Sequence, residues 1–155
     1  MNPIESIATT ENVSLITLHD SPAEIPFVAR VFNSIADAGI NVDMIAQAAP
    51  FGSRTTLSFT VADADIPRTL ETLSSMRDAG AGFKQTVSSG NVKLSVYSEI
   101  MRNASGIASR VFDAVASIHA DVRMITTSEV DISLLLAAAD TEAAVRAITE
   151  AFDRV

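Results

Sequence analysis

The segment Val13 to Leu18 (VSLITL) nearly alternates apolar and polar residues, and Val92 to Tyr97 (VKLSVY) does the same. That is the period of a strand with one buried face. A slower period follows each of them. Val28, Val31, Phe32 and Ile35 fall at i, i+3, i+4 and i+7, and Ile107, Val111, Val115 and Ile118 form a similar stripe, so each strand leads into an amphipathic helix. Gly39 closes the first of these helices.

Second strands are predicted at Asn41 to Gln47 and Asp121 to Thr127, and third strands at Thr55 to Val61 and Asp131 to Leu136. A second helix then ends each series. One opens with Asp65 as N-cap and Pro67 in its first turn and carries Ile66, Leu70 and Leu73; the other opens at Asp140 and carries Val145, Ile148 and Phe152. The order β, α, β, β, α is therefore written twice. GINVDMI (Gly39 to Ile45) returns as HADVRMI (His119 to Ile125), and the offset from Met44 to Met124 is the offset from Phe32 to Phe112.

These elements predict an α+β protein of two repeated modules, one over residues 10–88 and the other over 91–155. A fourth strand is available to the first module at Phe83 to Val87, whereas the second module ends at FDRV without one. The segment Ile4 to Ala8, inside residues 3–9, is expected to cross over and supply it. The Gly-rich stretches Arg77 to Gly82 and Ser88 to Asn91 are expected to border the linker between the modules.

Composition narrows the chemistry. With 48% apolar but only 5% aromatic residues and no Trp, the core should be aliphatic. A net charge of −8 repels nucleic acid and anionic membranes, so neither is an expected partner. The absence of cysteine removes disulfides, thiolate metal sites and thiol nucleophiles. No apolar run approaches a membrane span, and the N-terminus lacks the basic and apolar regions of a signal peptide, which together predict a cytoplasmic protein. His19 and His119 stand without other metal-ligating residues at suitable spacing, and Glu129 has no second acid to work with. Neither a metal, a cofactor nor a catalytic residue is expected.

GINVDMIAQ (Gly39 to Gln47), MRNASGIASRVFDAV (Met101 to Val115) and MITTSEVDISLLL (Met124 to Leu136) closely resemble the tandem ACT domains of the aspartate kinase regulatory region. The resemblance spans nearly the whole chain, and the ITTSEVDISLL run is its most specific part. It implies two ferredoxin-like βαββαβ ACT modules with antiparallel sheets, the leading strand joining the second module. It also implies a non-catalytic allosteric sensor of an amino acid, usually lysine or threonine. The amino-kinase domain and its Lys-Phe-Gly-Gly signature do not occur in this sequence, so the resemblance implies a separate regulatory subunit, a stand-alone sensor or a piece of a longer protein, with an aspartate kinase catalytic chain as a possible partner.

The loop LHDSPAEIPFVA leads from a strand end into a helix start, a place that suits the carboxylate of an amino acid. Candidate effector-binding positions are Asp20, Ser21 and Ala23 in this loop, with Asn41 and Gln47 around the second strand. The resemblance adds Asp121, Val122 and Ser128, contributed by the second ACT domain of a partner chain. The family writes Asp-x-Pro-Gly where this chain has Asp20, Ser21, Pro22 and Ala23, and commonly Asn where it has Asp121. Two functions stay open: an amino-acid sensor, and an assembly module whose pocket has lost its ligand. Both predict a homodimer, because small sheets have edges that invite pairing.

Overall fold

A computed structural model describes residues 2–80 and 82–153, which form two compact units. The first unit contains Asn12–Ser89; the second contains the chain from Gly90 onward together with the N-terminal residues up to Glu11. The elements are β1 (Ser6–Pro22), α1 (Ile25–Asp37), β2 (Ile45–Gln47), β3 (Arg54–Ala62), α2 (Ile66–Asp78), β4 (Lys84–Tyr97), α3 (Ile107–Ser117), β5 (Val122–Thr127), β6 (Asp131–Ala137) and α4 (Thr141–Asp153).

In the first unit the strands lie in the order β2-β3-β1-β4, and β1 and β2 both run antiparallel to β3. Alternation decides which side chains meet the helices: Ile16 and Leu18 of β1 and Leu57, Phe59 and Val61 of β3 pack against Phe27, Val31 and Ile35 of α1 and Leu73 of α2. Phe27 replaces Val28 on the buried stripe of α1, because the helix starts at Ile25 and its face is set by the first turn. Each fully buried aliphatic or aromatic side chain contributes about 1.5–3 kcal/mol through removal from water.

The second unit has the order β1-β4-β6-β5, with β6 antiparallel to both β4 and β5. Leu94 and Val96 of β4 and Ile132, Leu134 and Leu136 of β6 pack on Ile107, Val111 and Val115 of α3 and Ala144, Ile148 and Phe152 of α4. The N-terminal segment supplies the strand this module lacks. Glu5 N–H donates to the Tyr97 carbonyl at 3.0 Å, and Ile4 and Ile7 pack against this core.

Three details differ from the periodicity reading. Ser88 to Asn91, expected to border the boundary between modules, do so within a strand: β4 runs through them, and the units divide between Ser89 and Gly90 as they do between Glu11 and Asn12 of β1. Asn12 (φ 58°) and Gly90 (φ 71°) sit at these two crossings, a left-handed conformation that Asn and Gly tolerate best. The second strand is also shorter than Asn41 to Gln47, because the Met44 N–H bonds to the Thr60 hydroxyl at 2.9 Å instead of continuing a regular ladder. Asp65 holds the N-cap position of α2, but its carboxylate pairs with Arg68 at 2.5 Å and does not cap the helix.

Candidate functional site

The loop between β1 and α1 begins with a break in register. The β1–β3 ladder shifts between Leu18 and Ser21, and Asp20 takes φ 51°, so its carboxylate leaves the strand's normal alternation. Ser21 is fully buried and donates its hydroxyl to the Thr55 carbonyl at 3.3 Å, which anchors the loop to β3. The Ala23 N–H donates to Ser53 at 2.9 Å.

Donors for an anion are fewer here than the loop's position suggests. Pro26 brings no N–H, and Phe27 and Val28 donate theirs to the Glu24 carbonyl, at 3.1 and 3.4 Å. Glu24 occupies the N-cap without a side-chain cap.

Arg54 opens β3 directly after a tight turn in which Phe51 and Arg54 bond to each other across Gly52 and Ser53, with Gly52 at φ 63°. Its Nε lies 3.2 Å from the Asp20 carboxylate, and its Nη2 donates to the carbonyls of Asp20 and of Gly82, the latter at 2.6 Å. Arg54, Pro22, Glu24, Arg30, Ser34 and Met76 line much of a cleft of about 430 Å³ at this end of the unit. Nothing in the sequence pattern marked Arg54; the only available signal was a lone cation beginning a strand whose partner ends in an acidic loop.

The remaining candidates divide by position. Gln47 is exposed on the edge strand β2, opposite Leu57, at the same end of the sheet as Ser21 and Thr55. Asn41 lies beyond Asp43, which bonds to Thr60, so it belongs to the other end; Thr55 to Thr60 span about 17 Å of extended chain. The first unit thus gathers Asp20, Ser21, Ala23 and Gln47 but not Asn41.

In the second unit Asp121 and Ser128 flank β5 at opposite ends. Asp121 donates its N–H to Asp140 at 2.9 Å and accepts from Arg123 at 3.0 Å; Val122 is half-buried and pairs with Leu136. The Ser128 hydroxyl accepts from the N–H groups of Val130 and Asp131, a turn role. Beside it lies a cleft of about 280 Å³ where Arg102 pairs with Glu129 and lies 3.6 Å from Glu99. Tyr97 donates to Glu99 at 2.7 Å, and this bond, followed by partial burial and the charges of Glu99 and Glu5, pushes the phenol above its ordinary pKa. Among the described residues no group of His, Cys, Asp or Glu is arranged to hold a metal, and no helix is long and apolar enough to cross a membrane.

Two helices over one face of an antiparallel sheet, repeated with an ion-paired loop after the first strand, is a comparable arrangement in both units. The ACT domain family model matches residues 23–76 and 94–152, one match within each unit. The chain belongs to the ACT domain family. The regulatory subunit of aspartate kinase from Thermus thermophilus, in its ligand-free form, superposes with a TM-score of 0.88 at 33% identity, over 97% of this chain and 99% of that one. A structure of aspartokinase alpha and beta subunits matches with a TM-score of 0.83 at 31% identity, over 97% and 99%. Among curated relatives, an aspartokinase of Geobacillus stearothermophilus is 30% identical over 149 residues, which are 96% of this chain and 36% of the relative. The ACT pair thus spans about a third of the length of such aspartokinases and nearly all of a regulatory subunit. The resemblance to the tandem ACT domains of aspartate kinase holds, and the chain is a regulatory part.

Proposed function

We propose that this ACT pair senses an amino acid such as lysine or threonine and transmits its abundance to an aspartate kinase catalytic chain, itself performing no chemistry. The observation that carries this reading is the near-complete match to an aspartate kinase regulatory subunit, with a loop at the end of β1 held in a non-repetitive conformation. Asp20, Ser21, Ala23 and Gln47 of one chain form one wall of the effector site. A second copy supplies the other from one end of its β5, where either Asp121 and Val122 or Ser128 stand; Asn41, at the far end of the first unit's sheet, lies outside this wall.

A homodimer is part of the reading. Ile45 on β2 and Ile125 on β5 stand at equivalent places of the repeat, each about half exposed on an edge strand. An effector held between two chains binds one arrangement more tightly than another, and that difference in affinity is the signal. An acidic chain without cysteine suits the cytoplasm.

Calorimetric titration with lysine, threonine, methionine and other proteinogenic amino acids tests the sensor. Saturable binding of one, with a matching rise in thermal stability, supports it. A second reading, an assembly module without a ligand, draws on Ala23 in place of the family glycine and on the loop N–H groups already engaged by Ser53 and Glu24. Dimerisation with no binding of any amino acid would favour that one.

A further inference from the structure

We propose that Phe51 and Ile25 are the anchor by which this chain docks on an aspartate kinase catalytic chain, entering an apolar pocket of that partner; this rests on the regulatory reading above, which supplies the partner and not the surface. Phe51 is 93% exposed and Ile25 72%, more than any other large apolar side chain among the described residues. They flank one backbone hydrogen bond: the Ala23 N–H donates to the Ser53 carbonyl at 2.9 Å, and each side chain lies two residues from one end of that bond. The exposure is built into the hairpin. Phe51 and Arg54 bond to each other across the turn, and Arg54 in turn donates to the carbonyls of Asp20 and Gly82. An apolar prominence fixed before contact loses little conformational freedom on docking, and a single aromatic side chain can then dominate an interface.

The occupant follows from a comparison of the two units. Edge strands β2 and β5 carry exposed isoleucines at equivalent places, Ile45 and Ile125, so a contact between two copies can use both units alike. The prominence has no such counterpart. The turn between β2 and β3 runs from Ala48 to Ser53 without a charge, whereas that between β5 and β6 is only Ser128 to Val130 and carries Glu129. Pairing of each unit with its repeat in a second copy leaves the prominence out, so a different chain fits it better. In a chain of net charge −8, an uncharged turn also selects an apolar surface over a charged one. The ACT pair is about a third of an aspartokinase, and the rest is what a regulatory part must reach.

The test titrates the full chain with the aspartate kinase catalytic chain of the same organism in calorimetry, with amide exchange read at residues 51–54. Wild type is expected to associate and to gain protection there, F51A to bind at least about tenfold more weakly, and F51L to keep most of the affinity. Both variants should keep the wild-type thermal transition and self-association, because Phe51 is exposed and lies outside the edge strands. Association of F51A at wild-type strength, or no protection at residues 51–54, overturns the inference and leaves the regulatory reading standing. Weaker self-association of F51A overturns it in favour of a second copy as the occupant. If wild type does not associate with the catalytic chain, the inference falls together with the partnership on which it rests.

Discussion

Glu129 faces Arg102 in the second unit at the place where Arg54 faces Asp20 in the first, so the loop-to-strand ion pair recurs with its charges exchanged. Glu129 follows Arg54 by the interval that separates Leu134 from Phe59, a fully buried pair of equivalent strand residues. The repeat thus preserves the contact while reversing its polarity.

The Arg102–Glu129 pair is exposed and should contribute little to stability. E129Q is expected to lower the unfolding free energy by at most about 1 kcal/mol, measured by urea denaturation. A larger loss would mean that Glu129 does more than pair with Arg102.

Core positions should behave differently. Leu134 is fully buried among Leu94, Val96, Val111 and Ile148. Leu134→Ala removes that packing and leaves a cavity, with an expected cost of about 2–5 kcal/mol in the same denaturation assay.

Tyr97 is the single tyrosine, so the ultraviolet absorbance change of phenol ionisation reports it alone. Its midpoint should lie above the ordinary value of 10.0, chiefly because the phenol donates to Glu99. The folded-state value is raised above the unfolded one, so the contribution to stability is present below the unfolded pKa and is lost as pH rises through the folded pKa. E99Q should bring the midpoint down. A midpoint at or below 10.0 in the wild type would contradict the hydrogen bond.

Lysine substitutions at Ile45 and Ile125 test the edge-strand dimer. Both side chains are exposed, so the chain should keep its thermal stability as a monomer while self-association weakens by about tenfold or more in sedimentation. Retained dimerisation at wild-type strength would move the interface elsewhere.

The amide of Glu5 should be protected from exchange, because it donates to Tyr97 inside the second unit. Replacing Ile7 with Asp, which puts a charge against that core, should release the segment and remove the protection.

What the sequence determined by itself was whatever depends on near neighbours. Alternation placed Leu57, Phe59 and Val61 on one face of β3, the helical stripe placed Val111 and Val115 against the sheet, and the repeated GINVDMI and HADVRMI segments disclosed two copies of one module. Even the crossing of Ile4 to Ala8 was legible, since one module had a strand too few. The candidate site was legible only in part. Asp20 and Ser21 announced themselves as a turn, but the partnership of Asp20 with Arg54 joins residues brought together by the β1–β3 register, and the distance of Asn41 from Asp20 follows from β2 running along β3. Tertiary structure alone decided that Ser88 to Asn91 continue a strand through Gly90 and that Met44 bonds to a side chain. Periodicity records which face of an element is buried; it carries no record of which distant residue completes a hydrogen bond, because that is fixed by strand pairing between segments far apart in the chain.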